Sequence, residues 1–140
     1  MTVNRFEELS CWQTARALTR SIYDLTNQGT FARDFGLRDQ IRRASVSIMS
    51  NIAEGFESRT RNLFMDYLGR AKASAAEVRC QLYIARDVGY LDELQFAALY
   101  DLSDKVIRQL YKLIMHLRTH SGDNRIHDNL SDYTTTIDPL

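Results

Sequence analysis

Apolar residues recur along this chain at helical spacing in four stretches. In the first, Cys11, Ala15, Leu18, Ile22 and Leu25 are separated by steps of three and four, with Trp12 beside the stripe. Such steps place the apolar positions on one helical face, so the pattern predicts a helix over about 8–27, ended by Asn27, Gly29 and a polar run. The second stripe, Leu37, Ile41, Ala44, Ile48 and Ile52, predicts a helix over about 36–55. Gly55 is read as its end, because glycine takes the left-handed conformation cheaply. The third, Phe64, Leu68, Ala71, Ala75, Val78, Leu82 and Ala85, keeps an unbroken 3.5-residue repeat and predicts a helix over about 60–88. Ser58 or Thr60 caps its start and Gly89 closes it. The fourth opens at Asp92 with Gln95 as reciprocal cap and Leu91 and Phe96 as staple. Leu99, Leu102, Val106, Leu110, Leu113 and Leu117 then predict a helix over about 93–119, with Arg118 and His120 at its negative end.

Four helices of similar length and short loops specify an all-α, antiparallel, up-down-up-down four-helix bundle. The longest loop, between the first two helices, carries Phe31 and Phe35, which are expected to pack over one end of the bundle. Six Gly and one Pro in 140 residues are too few for the many turns of an all-β fold. The pattern stops after Ser121, so the expected organisation is a bundle domain over 1–120 and a flexible acidic tail, without a core, over 121–140. No run of 18 apolar residues exists, and the first residues lack the basic-then-apolar order of a signal peptide. Cys11 and Cys80 have no metal or redox spacing. The expectation is a cytoplasmic protein.

Charge changes the picture more than composition does. The 18 Lys+Arg balance 18 Asp+Glu, yet residues 1–86 hold 13 basic against 9 acidic side chains, and 87–104 hold five acids with no base. Arg38, Arg42, Arg43, Arg59, Arg61, Arg70, Lys72 and Arg79 crowd the second helix, the following loop and the third helix. A basic surface of this kind binds nucleic acid through phosphates. The plainer reading is an ordinary charged bundle surface, since acids share the segment.

A polar stripe flanks the apolar one on each of these helices. The second helix carries Gln40, Arg43, Ser47, Ser50, Asn51 and Glu54; the third carries Asp66, Arg70, Ser74, Glu77 and Gln81. A solvated face with pairs such as Asp66–Arg70 accounts for the spacing. The neighbouring small residues, Ala44, Ser45 and Ala53 on one helix and Gly69, Ala71 and Ala75 on the other, argue instead for a packed polar seam, within the chain or between subunits.

Catalytic signatures are missing from the sequence. His116 and His120 have metal-ligand spacing, but with Asp123 or His127 as the only further donors they are read as helix-end histidines. The expectation is no enzyme, no cofactor and no metal.

The runs Gln40-Ile-Arg-Arg-Ala44 and Ser47-Ile-Met-Ser-Asn-Ile-Ala-Glu-Gly55 carry a resemblance. With Phe6 to Ala15, Phe64, Ser74, Glu77, Gln81 and Gly89-Tyr-Leu91, the chain resembles the four-helix-bundle proteins encoded within intervening sequences of bacterial 23S ribosomal RNA genes. Ser47, Ser50, Asn51, Glu54, Ser74 and Glu77 match the family's polar positions; Met49 stands where the family commonly has Pro, so no kink is expected. That family is similar in fold to the accessory protein of diversity-generating retroelements, a basic homopentameric barrel that works with a reverse transcriptase and its template RNA. The resemblance implies a non-enzymatic, homopentameric helical protein whose partner is RNA or another single-stranded nucleic acid, or a reverse transcriptase. The alternative is a protein–protein scaffold that binds no nucleic acid.

Overall fold

The computed structural model describes residues 2–120 and 126–136. Among these, four long helices form: α1 Ser10–Thr26, α2 Phe35–Phe56, α3 Arg61–Asp87 and α4 Glu93–Thr119. Each agrees with its sequence pattern to within one or two residues, and together they make a four-helix bundle. α1 packs on α2 and α4, and α3 packs on the same two helices. Cross-helix contacts fix the direction of the neighbours. Thr19 reaches the Ser45 carbonyl while Arg42 reaches Thr26. Ser47 meets Ser74 while Gly55 lies against Phe64, and Arg79 meets Tyr100 while Arg61 meets Leu117. Partner numbers fall on one helix as they rise on the next, so successive helices run antiparallel.

The predicted stripes are the core. Ile22, Ile48, Ile52, Phe64, Leu68, Leu82 and Leu110 are fully or almost fully buried. The α4 start is the predicted capping box: Asp92 Oδ1 accepts from the Gln95 amide at 2.7 Å, and Gln95 Oε1 accepts from the Asp92 amide at 3.0 Å. Thr60, not Ser58, caps α3, accepting from Leu63 N at 3.1 Å. α2 has a cap the pattern did not reveal. Asp34 accepts from the Leu37 amide at 3.1 Å and from the Tyr90 hydroxyl at 2.8 Å, tying the α1–α2 loop to the α3–α4 loop. These two bonds hold the Asp34 carboxyl below its ordinary range. Phe31 packs over this end as expected, stacked on Tyr90 with centroids 4.9 Å apart. Phe35 does not; it is 63% exposed.

Two expectations need correction. Gly55 is not a left-handed terminus: it lies inside α2, and the positive-φ glycines among the described residues are Gly29 and Gly89. Its role is close approach. A Cβ there would stand 2.8 Å from Tyr67 Cβ and 3.3 Å from the Phe64 carbonyl oxygen, so α2 and α3 meet here because no side chain intervenes. The second correction concerns the chain end. Residues 126–136 do not lie outside the core: Leu130 is fully buried. The His127 ring stacks on Phe56 at 3.7 Å and its Nε2–H donates to the Phe56 carbonyl at 2.7 Å. Thr135 N donates to Glu8 O at 2.9 Å, and Val3 N to His127 O at 3.2 Å, so this segment is laced to the start of the chain.

The contrast between two helical glycines is testable. Gly55→Ala should destabilise by about 1–3 kcal/mol, because backbone and Cβ atoms cannot yield as a long side chain would. Gly36→Ala, whose Cβ would meet only Asp34 Oδ1 at 3.7 Å, should instead stabilise by about 0.5–1 kcal/mol. Urea unfolding of both variants checks the pair.

Candidate nucleic-acid interface

α3 has two flanks beside its buried seam. One faces α2. There Ser47 and Ser74 share a hydrogen bond at 2.9 Å, and Asn51 Nδ2 donates to Ser47 O at 2.8 Å and Ser47 Oγ at 3.0 Å. Of the six seam residues read from the sequence, this part-buried network joins Ser47, Asn51 and Ser74. Ser50 and Glu54 are exposed beside it, and Glu77 accepts from Gln81 Nε2 at 3.2 Å rather than joining Asn51. Arg43 lines a small surface cleft with Gln40, Ala44, Ser47 and Glu77.

The other flank faces α4, and there the cations align. Lys72, Arg79 and Arg86 are seven residues apart, two helical turns, or about 10.5 Å along the helix. Each lies over an aromatic ring. Lys72 Nζ is 5.2 Å from the centre of Tyr111, and Arg79 is 4.8 Å from that of Tyr100. Arg86 is 5.2 Å from the ring of Tyr83 and 4.4 Å from that of Phe96. Tyr111 and Tyr83 remain 52% and 42% exposed. Arg79 Nη2 also donates to the Tyr100 hydroxyl at 2.6 Å. Asp104 stands 3.9 Å from Arg79 and 3.0 Å from Arg108, and Asp87 stands 3.5 Å from Arg86. Nearer the α3 start, the same groove widens between Asn62, Met65, Lys72, Tyr111, Met115 and Arg118.

The structure therefore divides the arginine set read from the sequence. Lys72 and Arg79 belong to the α3/α4 groove, and Arg61 sits at its lower end, with Nη1 donating to Leu117 O at 3.4 Å. Arg42 faces α1: its Nε donates to Thr26 at 2.8 Å and its guanidinium covers Tyr23 at 4.7 Å. Arg38 is held by Asp39 and the Ala32 carbonyl, each at 3.0 Å. Arg70 lies over Tyr67 at 4.9 Å instead of reaching Asp66. Arg43 and Arg59 are exposed elsewhere. Sequence reasoning left out Arg86 and the rings of Tyr83, Tyr100 and Tyr111, and it read Arg118 only as a helix-end charge. The seven-residue spacing of Lys72, Arg79 and Arg86 was the signal that would have found the ladder.

His116 and His120 stack on each other at 4.2 Å, and His120 Nδ1 approaches the His116 carbonyl at 3.0 Å. His127 is engaged with Phe56, and Asp123 lies outside the described residues. Among the described residues, no group of three or more His, Cys, Asp or Glu side chains is placed to hold a metal ion. The Cys11 thiol is pushed up to about 12, chiefly by burial. Among the described residues, no helix is long and apolar enough to cross a membrane.

The fold and these surfaces define a small four-helix-bundle protein whose polar chemistry lies along its faces. Residues 7–112 match the family model described as 23S rRNA-intervening sequence protein, and the chain belongs to that family. Comparison with curated proteins returns no match. Among solved structures, the chain is similar to a protein of unknown function from the S23 ribosomal protein family of Bacteroides thetaiotaomicron. The match has a TM-score of 0.68 and 21% identity, covering 74% of this chain and 97% of that one. At that identity the likeness carries the fold alone.

Two measurements test the local chemistry. Asn51→Leu should lower stability by about 1 kcal/mol, the usual worth of such hydrogen bonds, whereas Ser50→Ala and Glu54→Gln should stay within about 0.5 kcal/mol. Thermal melts of the three variants check the division. His116 is held below its ordinary 6.5, first by burial, then by the charges of His120 and Arg61, against the pull of Asp132. The unfolded chain therefore takes up this proton first. The stability it contributes is present above 6.5 and declines as pH falls through the folded value. His116→Gln should flatten the fall in melting midpoint below pH 6.5.

Proposed function

We propose that this protein binds RNA or single-stranded nucleic acid without base specificity, along the α3/α4 groove, as an oligomer that performs no chemistry of its own. The observation that carries the reading is the ladder of Lys72, Arg79 and Arg86, each beside an aromatic ring on a groove that stays open to solvent. Cations attract the phosphates and rings offer stacking faces, the combination that sequence-tolerant single-strand binders use. The sequence carries no recognition-helix, RNA-binding-sheet or zinc-finger signature of base readout.

Oligomerisation belongs to the same reading. Phe35, Ile84, Val88 and Leu94 are exposed apolar side chains on the bundle, surface that a neighbouring copy would cover. Five copies, the number the family resemblance implies, would repeat the ladder around a ring, and later contacts with one strand would become intramolecular. A reverse transcriptase, the partner implied by the same resemblance, would take its template from such a ring.

The reading is tested by filter binding of a single-stranded RNA at about 50 mM and about 200 mM salt. Three phosphate contacts on a single strand give a log–log slope of about −2, or about twentyfold weaker binding per chain over that range. The Lys72→Ala/Arg79→Ala/Arg86→Ala variant should lose most binding and most of the slope. No binding by native protein at low salt, or equal binding by the variant, leaves a protein–protein scaffold as the reading. Light scattering decides the assembly: a mass near 16.2 kDa at micromolar concentration rejects the ring.

A further inference from the structure

At the end where α3 begins and α4 finishes, the groove deepens into a pocket of about 510 Å³. That is room for a nucleoside-sized group, since ligand clefts run from about 300 Å³ upward. Its apolar lining is Met65, Ile114 and Met115, with the ring of Tyr111 beside them. Gly69 leaves the wall open: a Cβ there would meet nothing within 4 Å. Lys72 and Arg118 supply two positive charges against the one carboxylate of Asp66, and Asn62 supplies an amide.

Resting on the nucleic-acid reading above, we propose that this pocket takes one unpaired base, stacked on Tyr111, with the adjoining phosphates on Lys72 and Arg118. The ligand is then single-stranded, not duplex. Three features carry this. Tyr111 is 52% exposed although it lines the pocket, and the group now over it is a lysine ammonium on a flexible stem, 5.2 Å from the ring centre. A base displaces that ammonium onto a phosphate, and base–aromatic stacking is stronger than an exposed cation–π contact. The methionines adapt to any base, which suits a site without base preference. Finally, bases inside a duplex turn no face outward, so only an unpaired, splayed base can reach a ring set in a concave groove between two helices. An acidic peptide would pair with the cations and leave the ring idle. A single strand carries a base with every phosphate, and here each cation stands beside a ring, so one nucleotide can engage both.

The experiment uses the full chain and a fifteen-nucleotide single-stranded RNA carrying one 2-aminopurine. Native protein should quench the 2-aminopurine on binding, and the fully paired RNA duplex of the same length should compete at least about tenfold less well. Tyr111→Leu should bind the single strand about tenfold more weakly with an unchanged salt slope, and Tyr111→Phe should bind as native protein does. Equal binding by Tyr111→Leu, equal competition by the duplex or by polyglutamate, or unquenched 2-aminopurine in the native complex overturns the base pocket. Loss of binding in the Lys72/Arg79/Arg86 variant would then still leave the electrostatic reading standing. If native protein binds no RNA at low salt, both readings fall. Should Tyr111→Leu not fold, the duplex competition and the quenching on native protein decide alone.

Discussion

The 3.5-residue repeat of α3 constrains nearly everything else in this bundle. Phe64, Leu68, Ala71, Ala75, Val78, Leu82 and Ala85 are all buried with no break in the alternation of steps. A helix that keeps so strict a seam does not drift relative to its neighbours, so residues beside the seam also repeat in register. On one side that register presents Tyr67, Ser74 and Gln81 toward α2. On the other it presents Met65, Lys72, Arg79 and Arg86 toward α4. The core period thus sets the spacing of the cation ladder. A stutter in the seam would rotate Arg86 off the groove while leaving the composition unchanged.

The α2 flank meets a different demand. Small residues at Gly55, Ala44 and Ala75 let the helices approach, and the close contact of Gly55 with Phe64 and Tyr67 anchors their register. At this spacing Ser47, Asn51 and Ser74 satisfy one another. The exposed Ser50 and Glu54 are outside that demand. A polar stripe at helical spacing is therefore two populations, and only the burial of each position separates them.

Much of this was legible beforehand. Helix bounds followed from apolar steps and from caps that work locally, such as Asp92 with Gln95. What escaped were the non-local pairings. Asp34 reaches Tyr90 across 56 positions of sequence, and His127 reaches Phe56 across 71. Neither bond leaves a periodic trace, so a short segment holding Ile126, Leu130 and Tyr133 among polar residues reads as a tail. The basic residues that crowd 38–79 are spread over several faces for a related reason: order along the chain does not give the face on which a side chain lies. Arg42 and Arg43 are adjacent in sequence, yet one guanidinium covers Tyr23 of α1 and the other lines a cleft against α3.

A chain of zero net charge holds a polyanion only if its charges are segregated. Here the segregation runs along the bundle axis. The acidic 87–104 stretch lies where α3 ends and α4 begins, beside Arg86. The opposite end of the same groove gathers Lys72, Arg118 and Arg61, with Asp66 as the opposing charge in the pocket. Asp104 offsets Arg79 and Arg108 midway, and Asp87 offsets Arg86 at the acidic end. For a polyanion the attraction would therefore grow toward Tyr111 and weaken toward Phe96, and screening over about 8–10 Å would keep the two ends from cancelling. In the proposed function, a strand would enter at the α3 start, be held most tightly beside Tyr111, and meet repulsion from Asp87, Asp92 and Glu93 as it approached the far loop.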